Sequence, residues 1–239
     1  MFPFRNLFHD TRRQRRRAVP PSTFSSVQLA LAYLLERTEG GTLIQIGACD
    51  GAAGDPVSHF VRRGVIQAIL VEPVTSNFEK LQQTYAGVPG VSLVQAAIAH
   101  HDGVATMYRA RAAGRWADDP WVSQVSSFDK KHLLRHGVRS EEIEEVTVPA
   151  ISLPSLLARF GIEKLDVLQI DVEGFDAEVV KMALALPTPP DVINFERIHL
   201  TALGTRELFA SLEPSGYTWT HDFFDTLALH KRFTQQWQA

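Results

Sequence analysis

The chain has a single cysteine, Cys49, among 239 residues, which excludes an internal disulfide and any metal centre built mainly from thiolates. A dominant charge is missing too. The 24 Lys and Arg stand against 27 Asp and Glu for a formal net charge of −3, so nothing draws the whole molecule to nucleic acid or to an anionic membrane. Long apolar runs are also absent. The longest candidate, Val27 to Leu35, is interrupted by Gln28 and followed by charge; it is too short to span a bilayer and reads as an amphipathic helix rather than a secretion signal. These absences predict a cytoplasmic protein. What is present, 45% hydrophobic and 21% charged residues, suffices for one sizeable core.

Residues 1–24 contain Arg12-Arg13-Gln14-Arg15-Arg16-Arg17 and then Pro20-Pro21-Ser22, a composition that packs no core and predicts a basic, flexible arm ahead of one domain spanning 25–239. Within that domain, apolar runs predict strands at 42–48, 66–71, 91–97, 103–109, 146–151, 165–170, 191–196, 216–221 and 225–230, mostly alternating with helices. Alternation of this kind implies a parallel sheet covered on both faces. The last two strands, joined only by Asp222-Phe223-Phe224, leave no room for a parallel crossover and must form an antiparallel hairpin. Residues 110–145 break the rhythm and carry Trp116 and Trp121; an insertion this long inside a compact domain predicts a substrate cap, with Trp116 or Trp121 facing the substrate.

The most informative segment is Thr42-Leu43-Ile44-Gln45-Ile46-Gly47-Ala48-Cys49-Asp50-Gly51, an apolar strand that runs into a small-residue turn with an acid in it. A dinucleotide pyrophosphate calls for Gly-x-Gly-x-x-Gly and a helix N-terminus free of competing negative charge. Here the spacing is Gly47-x-x-x-Gly51, with Asp50 beside the second glycine. The next strand ends in Glu72-Pro73, where a carboxylate can accept hydrogen bonds from both hydroxyls of a ribose. Acids at these two strand tips suit S-adenosylmethionine, whose sulfonium and ammonium groups are cationic. NAD fits less well, and no Tyr-x-x-x-Lys pair supports an NAD-dependent oxidoreductase.

With Leu70-Val71-Glu72-Pro73-Val74, Ala96-Ala97-Ile98-Ala99, Leu168-Gln169-Ile170-Asp171-Val172-Glu173-Gly174-Phe175-Asp176, Phe195-Glu196 and His199-Leu200, the turn resembles the FkbM-type methyltransferases, and the Ile-Asp-x-Glu-Gly element is the most specific part of the match. The resemblance implies a three-layer, Rossmann-like class I methyltransferase fold whose seven-stranded, mostly parallel sheet ends in an antiparallel hairpin. It also implies that Gln45, Gly47, Ala48, Asp50, Gly51, Glu72 and Pro73 surround the cofactor, that Ala96 and Ala97 lie against the adenine, and that Ser126 and Ser127 fix the cap against it. Gln45 stands where many methyltransferases carry an acid. The activity implied is O-methylation of a hydroxyl on a sugar, polyketide or other secondary metabolite.

The candidate catalytic set is Asp171, Glu196 and His199, which adjacent strand tips bring to one cleft. Such a cluster can take the proton from an acceptor hydroxyl or hold Mg²⁺. Glu173 reads first as a partner of the helix dipole, and His199 suits a base and a structural hydrogen bond equally. The partner implied is a small-molecule hydroxyl acceptor. Two other readings are an oxidoreductase and a non-catalytic cofactor-binding scaffold. A nucleic-acid methyltransferase has only Arg12 to Arg17 in its favour and lacks Asn/Asp-Pro-Pro-Tyr. Nothing in the sequence fixes the oligomeric state.

Overall fold

A computed structural model describes residues 26–235 apart from 37, 39, 53, 117–121, 123 and 124. The arginine-rich arm and Trp121 therefore lie outside the described residues. Helix α1 (Ser26–Leu35) buries Val27, Leu31, Leu34 and Leu35, a set spaced to form one helical face. After it come β1 (Thr42–Ile46), α2 (Ser58–Arg62), β2 (Gln67–Val71), α3 (Thr75–Thr84) and β3 (Val91–Val94). The middle of the chain forms β4 (Ala97–Ile98), β5 (Gly103–Ala110), β6 (Ser126–Ser127), α4 (Lys130–Arg135) and β7 (Ile143–Ile151). The last third supplies α5 (Leu153–Phe160), β8 (Val167–Ile170), α6 (Asp176–Leu184), β9 (Val192–Glu196), α7 (Ala202–Leu212), β10 (Tyr217–His221), β11 (Asp225–His230) and α8 (Lys231–Gln235).

The main sheet has seven strands in the order β10-β11-β9-β8-β1-β2-β3. Strands β9, β8, β1, β2 and β3 run parallel, while β11 is antiparallel to both β9 and β10. Alternation along each parallel strand sends neighbouring side chains to opposite layers. Ile44 and Ile46 pack with Leu156, Val179 and Leu208 on one face, and Leu43 packs with Leu31 and Leu81 on the other. Both faces are covered, which is why these strands read as nearly continuous apolar runs.

One expected strand divides. Residues 91–97 were expected as a single element, but Val94, paired with Val71 at the end of β2, is the last residue with a partner in the main sheet. The chain turns there, with the Ala96 N–H on the Val94 carbonyl. Ala97 and Ile98 then pair with Ala150 and Ile151 in a second, four-stranded sheet ordered β4-β7-β5-β6. This sheet carries the insertion, which has a small core of its own made by Ala110, Trp116, Val122, Leu133, Val138 and Ile143.

That core corrects the expectation for Trp116. Its ring is 4% exposed, packed in the insertion with the Arg115 guanidinium 4.3 Å above it. It closes this small core, where a large aromatic fills the space, and is absent from the lining of the strand-tip cleft.

Candidate active site

In an open α/β sheet, ligands lie beyond the C-terminal ends of the parallel strands. Here the tips of β1, β2 and β8 bring Gly47, Glu72 with Pro73, and Asp171 with Glu173 around one open cleft of about 510 Å³. The second sheet supplies the facing wall: Ala96, Ala97, Met107, Ser126 and Phe128. Two non-glycine residues among those described have positive φ, Cys49 at 52° and Glu173 at 53°, and both line this cleft. Left-handed backbone at a non-glycine is unfavourable and persists where the surroundings impose it, commonly at functional sites.

Glu72 is the best-held acid at the cleft. It is 4% exposed; one carboxylate oxygen accepts the Cys49 N–H at 3.0 Å and the other the Val74 N–H at 2.8 Å. Burial raises its carboxyl to about 7, against the lowering effect of those backbone N–H groups and the Asn77 side chain. Each carboxylate oxygen retains acceptor capacity after one such bond, so Glu72 both staples the glycine turn to the tip of β2 and faces the cleft. Burial, with Glu72 and Asp50 nearby, pushes the Cys49 thiol up to about 12.

The glycines act differently from expectation. A Cβ on Gly47, at φ 82°, would lie 1.9 Å from the Asp171 carbonyl oxygen, and one on Gly51, at φ 67°, would lie 2.4 Å from the Tyr85 ring. Both therefore let protein segments close on one another, although Gly47 also lines the cleft. The turn's first two amides are already used, because the N–H groups of Gly47 and Ala48 both donate to the Val71 carbonyl.

Two residues expected at the cofactor, Gln45 and Ala48, are placed in the opposite layer. Gln45 alternates with Ile44 and Ile46, so its side chain enters the layer on the opposite face. It is 4% exposed and hydrogen-bonds the Asp55 carboxylate, beside Gln169, its register partner on β8. The Ala48 methyl belongs to the core formed with α1 to α3. Asp50 is half-buried and accepts the Ala52 N–H at 3.0 Å, folding back on its own turn. Pro73 and Ala97 do line the cleft.

The two serines of β6 divide between the cleft and the insertion's anchorage. The Ser127 hydroxyl donates to the Glu173 carbonyl at 2.9 Å and accepts the Asp129 N–H at 3.1 Å, while Ser126 is the serine that lines the cleft. Ser127 thus ties the insertion to the strained turn after β8. Ser127→Ala should lower stability by roughly 1–2 kcal/mol, since it strands a carbonyl and an amide in a partly buried setting. Thermal unfolding checks this, and an unchanged Tm would mean that water replaces the hydroxyl without cost.

Behind the cleft wall the acids and imidazoles converge, with Glu173 as the hinge. Its Oε2 lies 3.0 Å from His132 Nε2 and 3.4 Å from His199 Nε2, and His199 Nε2 lies 3.1 Å from Glu196 Oε2. Glu196 and His199 meet as expected. Asp171 is exposed at the cleft, on the same turn after β8 that carries Glu173. Asp176, fully buried at the start of α6, accepts the Gly174 N–H at 3.2 Å and braces that turn; burial, followed by the charge of Glu196, raises its carboxyl to about 7.

His132, His136 and Phe128 were not expected at the site. The sequence does carry a signal for the two histidines, which stand four residues apart on one helical face. Only the fold brings that face against Glu173.

A family model described as "Methyltransferase FkbM domain" matches residues 45–212. No curated protein matches the sequence. Among solved structures, the chain is similar to the O-methyltransferase TomG from Streptomyces achromogenes, involved in tomaymycin synthesis and solved in complex with SAM, at 17% identity over 91% of this chain and 85% of that one, with a TM-score of 0.46. It is similar to the O-methyltransferase from Bacillus cereus in complex with SAH at 11% identity, 92% and 90% coverage and a TM-score of 0.45. It is also similar to the Methanococcus jannaschii fibrillarin pre-rRNA processing protein at 11% identity, 81% and 68% coverage and a TM-score of 0.45.

Proposed function

Because the chain belongs to the FkbM methyltransferase family, we propose that this S-adenosylmethionine-dependent enzyme methylates a hydroxyl group on a small molecule of the sugar, polyketide or secondary-metabolite kind. The observation that carries the choice of a hydroxyl is the joining of a carboxylate at the cleft wall, Glu173, to His199 and Glu196 behind it at 3.4 and 3.1 Å. A hydroxyl is a poor nucleophile until its proton leaves, and a positioned base contributes roughly 10²–10⁴-fold.

The residues present fit the cofactor. Glu72 offers a buried carboxylate to paired hydroxyls, and Ala96, Ala97, Met107 and Phe128 form a wall of small and apolar side chains suited to a flat base. When bound, S-adenosylmethionine supplies an electrophilic methyl and a neutral thioether leaving group. The chain's part is to align the acceptor oxygen with that methyl, exclude water and receive the proton. In this reading Asp171 faces the reacting groups from the tip of β8. Glu173, backed by His199 and Glu196, stands on the acceptor side, and residues 110–145 cap the cleft through Ser126 and Phe128.

Calorimetry with S-adenosylhomocysteine and with NAD separates this reading from an oxidoreductase. Binding of the former and silence with the latter is the expected result; tight NAD binding with no response to either S-adenosyl ligand overturns it. Incubation with labelled S-adenosylmethionine and a panel of hydroxylated acceptors then tests the finer claim, which requires label in a methyl ether. Cofactor that binds but is never turned over would favour a scaffold.

A further inference from the structure

The helix of the insertion, α4, carries His132 and is capped at its C-terminus by His136 one turn on, and the fold sets both against His199 from the loop after β9. Ring centroids lie 4.6 Å apart for His132 and His136, 4.6 Å for His132 and His199, and 5.3 Å for His136 and His199. One ligating atom from each of these imidazoles lies within 4.8 Å of the other two. His132 is 1% exposed, and its Nδ1 has no hydrogen-bond partner among the described residues. Its other nitrogen faces Glu173, whose Oε2 is also shared with His199.

We propose that His132, His136 and His199, with Glu173 as the oxygen donor, form a binding site for one divalent transition-metal ion of the zinc type. Bonds of about 2.0–2.1 Å to a common tetrahedral ion set its ligand atoms roughly 3.3 Å apart, and the Glu173 oxygen already lies 3.0 and 3.4 Å from its two imidazole neighbours. Closure asks the three imidazole nitrogens, within 4.8 Å of one another, to draw together by up to about 1.5 Å to reach that spacing. The donor chemistry selects the metal. Imidazole nitrogen suits zinc and its neighbours, whereas Mg²⁺ favours oxygen and gives up its waters reluctantly; a site with three imidazoles is thus not the Mg²⁺ site that the acids alone suggested. Glu196, 3.1 Å from His199 Nε2, supplies the carboxylate neighbour common around ligating histidines. The ion joins the insertion to the tips of β8 and β9 next to the cleft, and the proposal stands independently of methyl transfer.

The test uses the whole chain, stripped with a chelator, dialysed and titrated with Co²⁺ and then with Zn²⁺. One equivalent of Co²⁺ should bind with visible d–d absorption, be displaced by Zn²⁺ and resist excess Mg²⁺, and Zn²⁺ should raise the Tm. His132→Gln and His136→Ala should each weaken Co²⁺ binding at least tenfold, since even loss of an outer partner of a metal ligand costs that much. The exposed His101→Ala should leave it unchanged. Failure of wild-type protein to take up either ion, while it still binds S-adenosylhomocysteine, overturns the proposal and leaves the methyltransferase reading intact. Uptake that survives in both folded histidine variants, or that Mg²⁺ competes away, overturns it equally.

Discussion

Glu72→Ala is expected to weaken cofactor binding by roughly 1.5–3 kcal/mol for each hydrogen bond lost to the carboxylate, or about tenfold to a hundredfold per bond. The carboxylate is fixed by the Cys49 and Val74 N–H groups, so it reaches the cleft already oriented. The same contacts mean that truncation frees the glycine turn, and affinity must be read beside a folding measurement. Glu72→Gln separates the two effects, because an amide keeps the size and one acceptor oxygen but replaces the second acceptor with a donor. A folded Glu72→Gln protein with unaltered affinity for S-adenosylhomocysteine would move the ribose site elsewhere.

Protonation sharpens this test. Burial raises the Glu72 carboxyl to about 7 from its ordinary 4.5, so the ligand-free fold favours the neutral form. The group's favourable contribution to stability is therefore present below about 4.5 and is lost as the pH rises to about 7. Hydroxyl donors reverse the preference, because they stabilise the carboxylate. Cofactor affinity should rise as the pH increases through about 7, with proton release detectable by calorimetry in buffers of different ionisation enthalpy. A flat profile would show that Glu72 is already ionised in the free protein or takes no part in binding.

The parallel sheet was legible because its four inner parallel strands are buried on both faces and bounded by turn residues. The hairpin was legible because a three-residue link admits no other connection. The split after Val94 left no mark in the sequence: residues 91–97 read as one strand, and only the end of β2 at Val71 deprives it of further pairing. Strand tips were easy to find, yet the direction of each side chain was harder. Gln45 was misplaced because alternation within β1 sends it beneath the turn. Glu173 joins His132 and His199 on a turn where its own backbone is left-handed, which periodicity does not register. Trp116 was misplaced because the insertion needed a core of its own, and His132 with His136 belong to the site only through tertiary contact.

Asp171→Asn and His199→Ala are each expected to lower turnover by roughly 10²–10⁴-fold, the range a positioned proton acceptor supplies, while leaving cofactor affinity nearly unchanged. Asp171 is exposed at the cleft, so its amide isostere keeps the shape of the wall and removes only the charge. His199 is 9% exposed and contacts both Glu173 and Glu196, so its loss also leaves two acids facing each other without the imidazole between them; Glu196→Gln, which relieves that repulsion, should rescue folding of the double variant without restoring turnover. Chelation then separates two routes to the same defect. If side chains alone take the proton, turnover survives a chelator; if an ion held by His199 activates the hydroxyl, a chelator abolishes turnover and Zn²⁺ or Co²⁺ restores it. Parallel loss of turnover and cofactor affinity in Asp171→Asn would instead assign that carboxylate to the cofactor's ammonium group, and unchanged turnover in both variants would leave alignment of the reacting atoms as the enzyme's whole contribution.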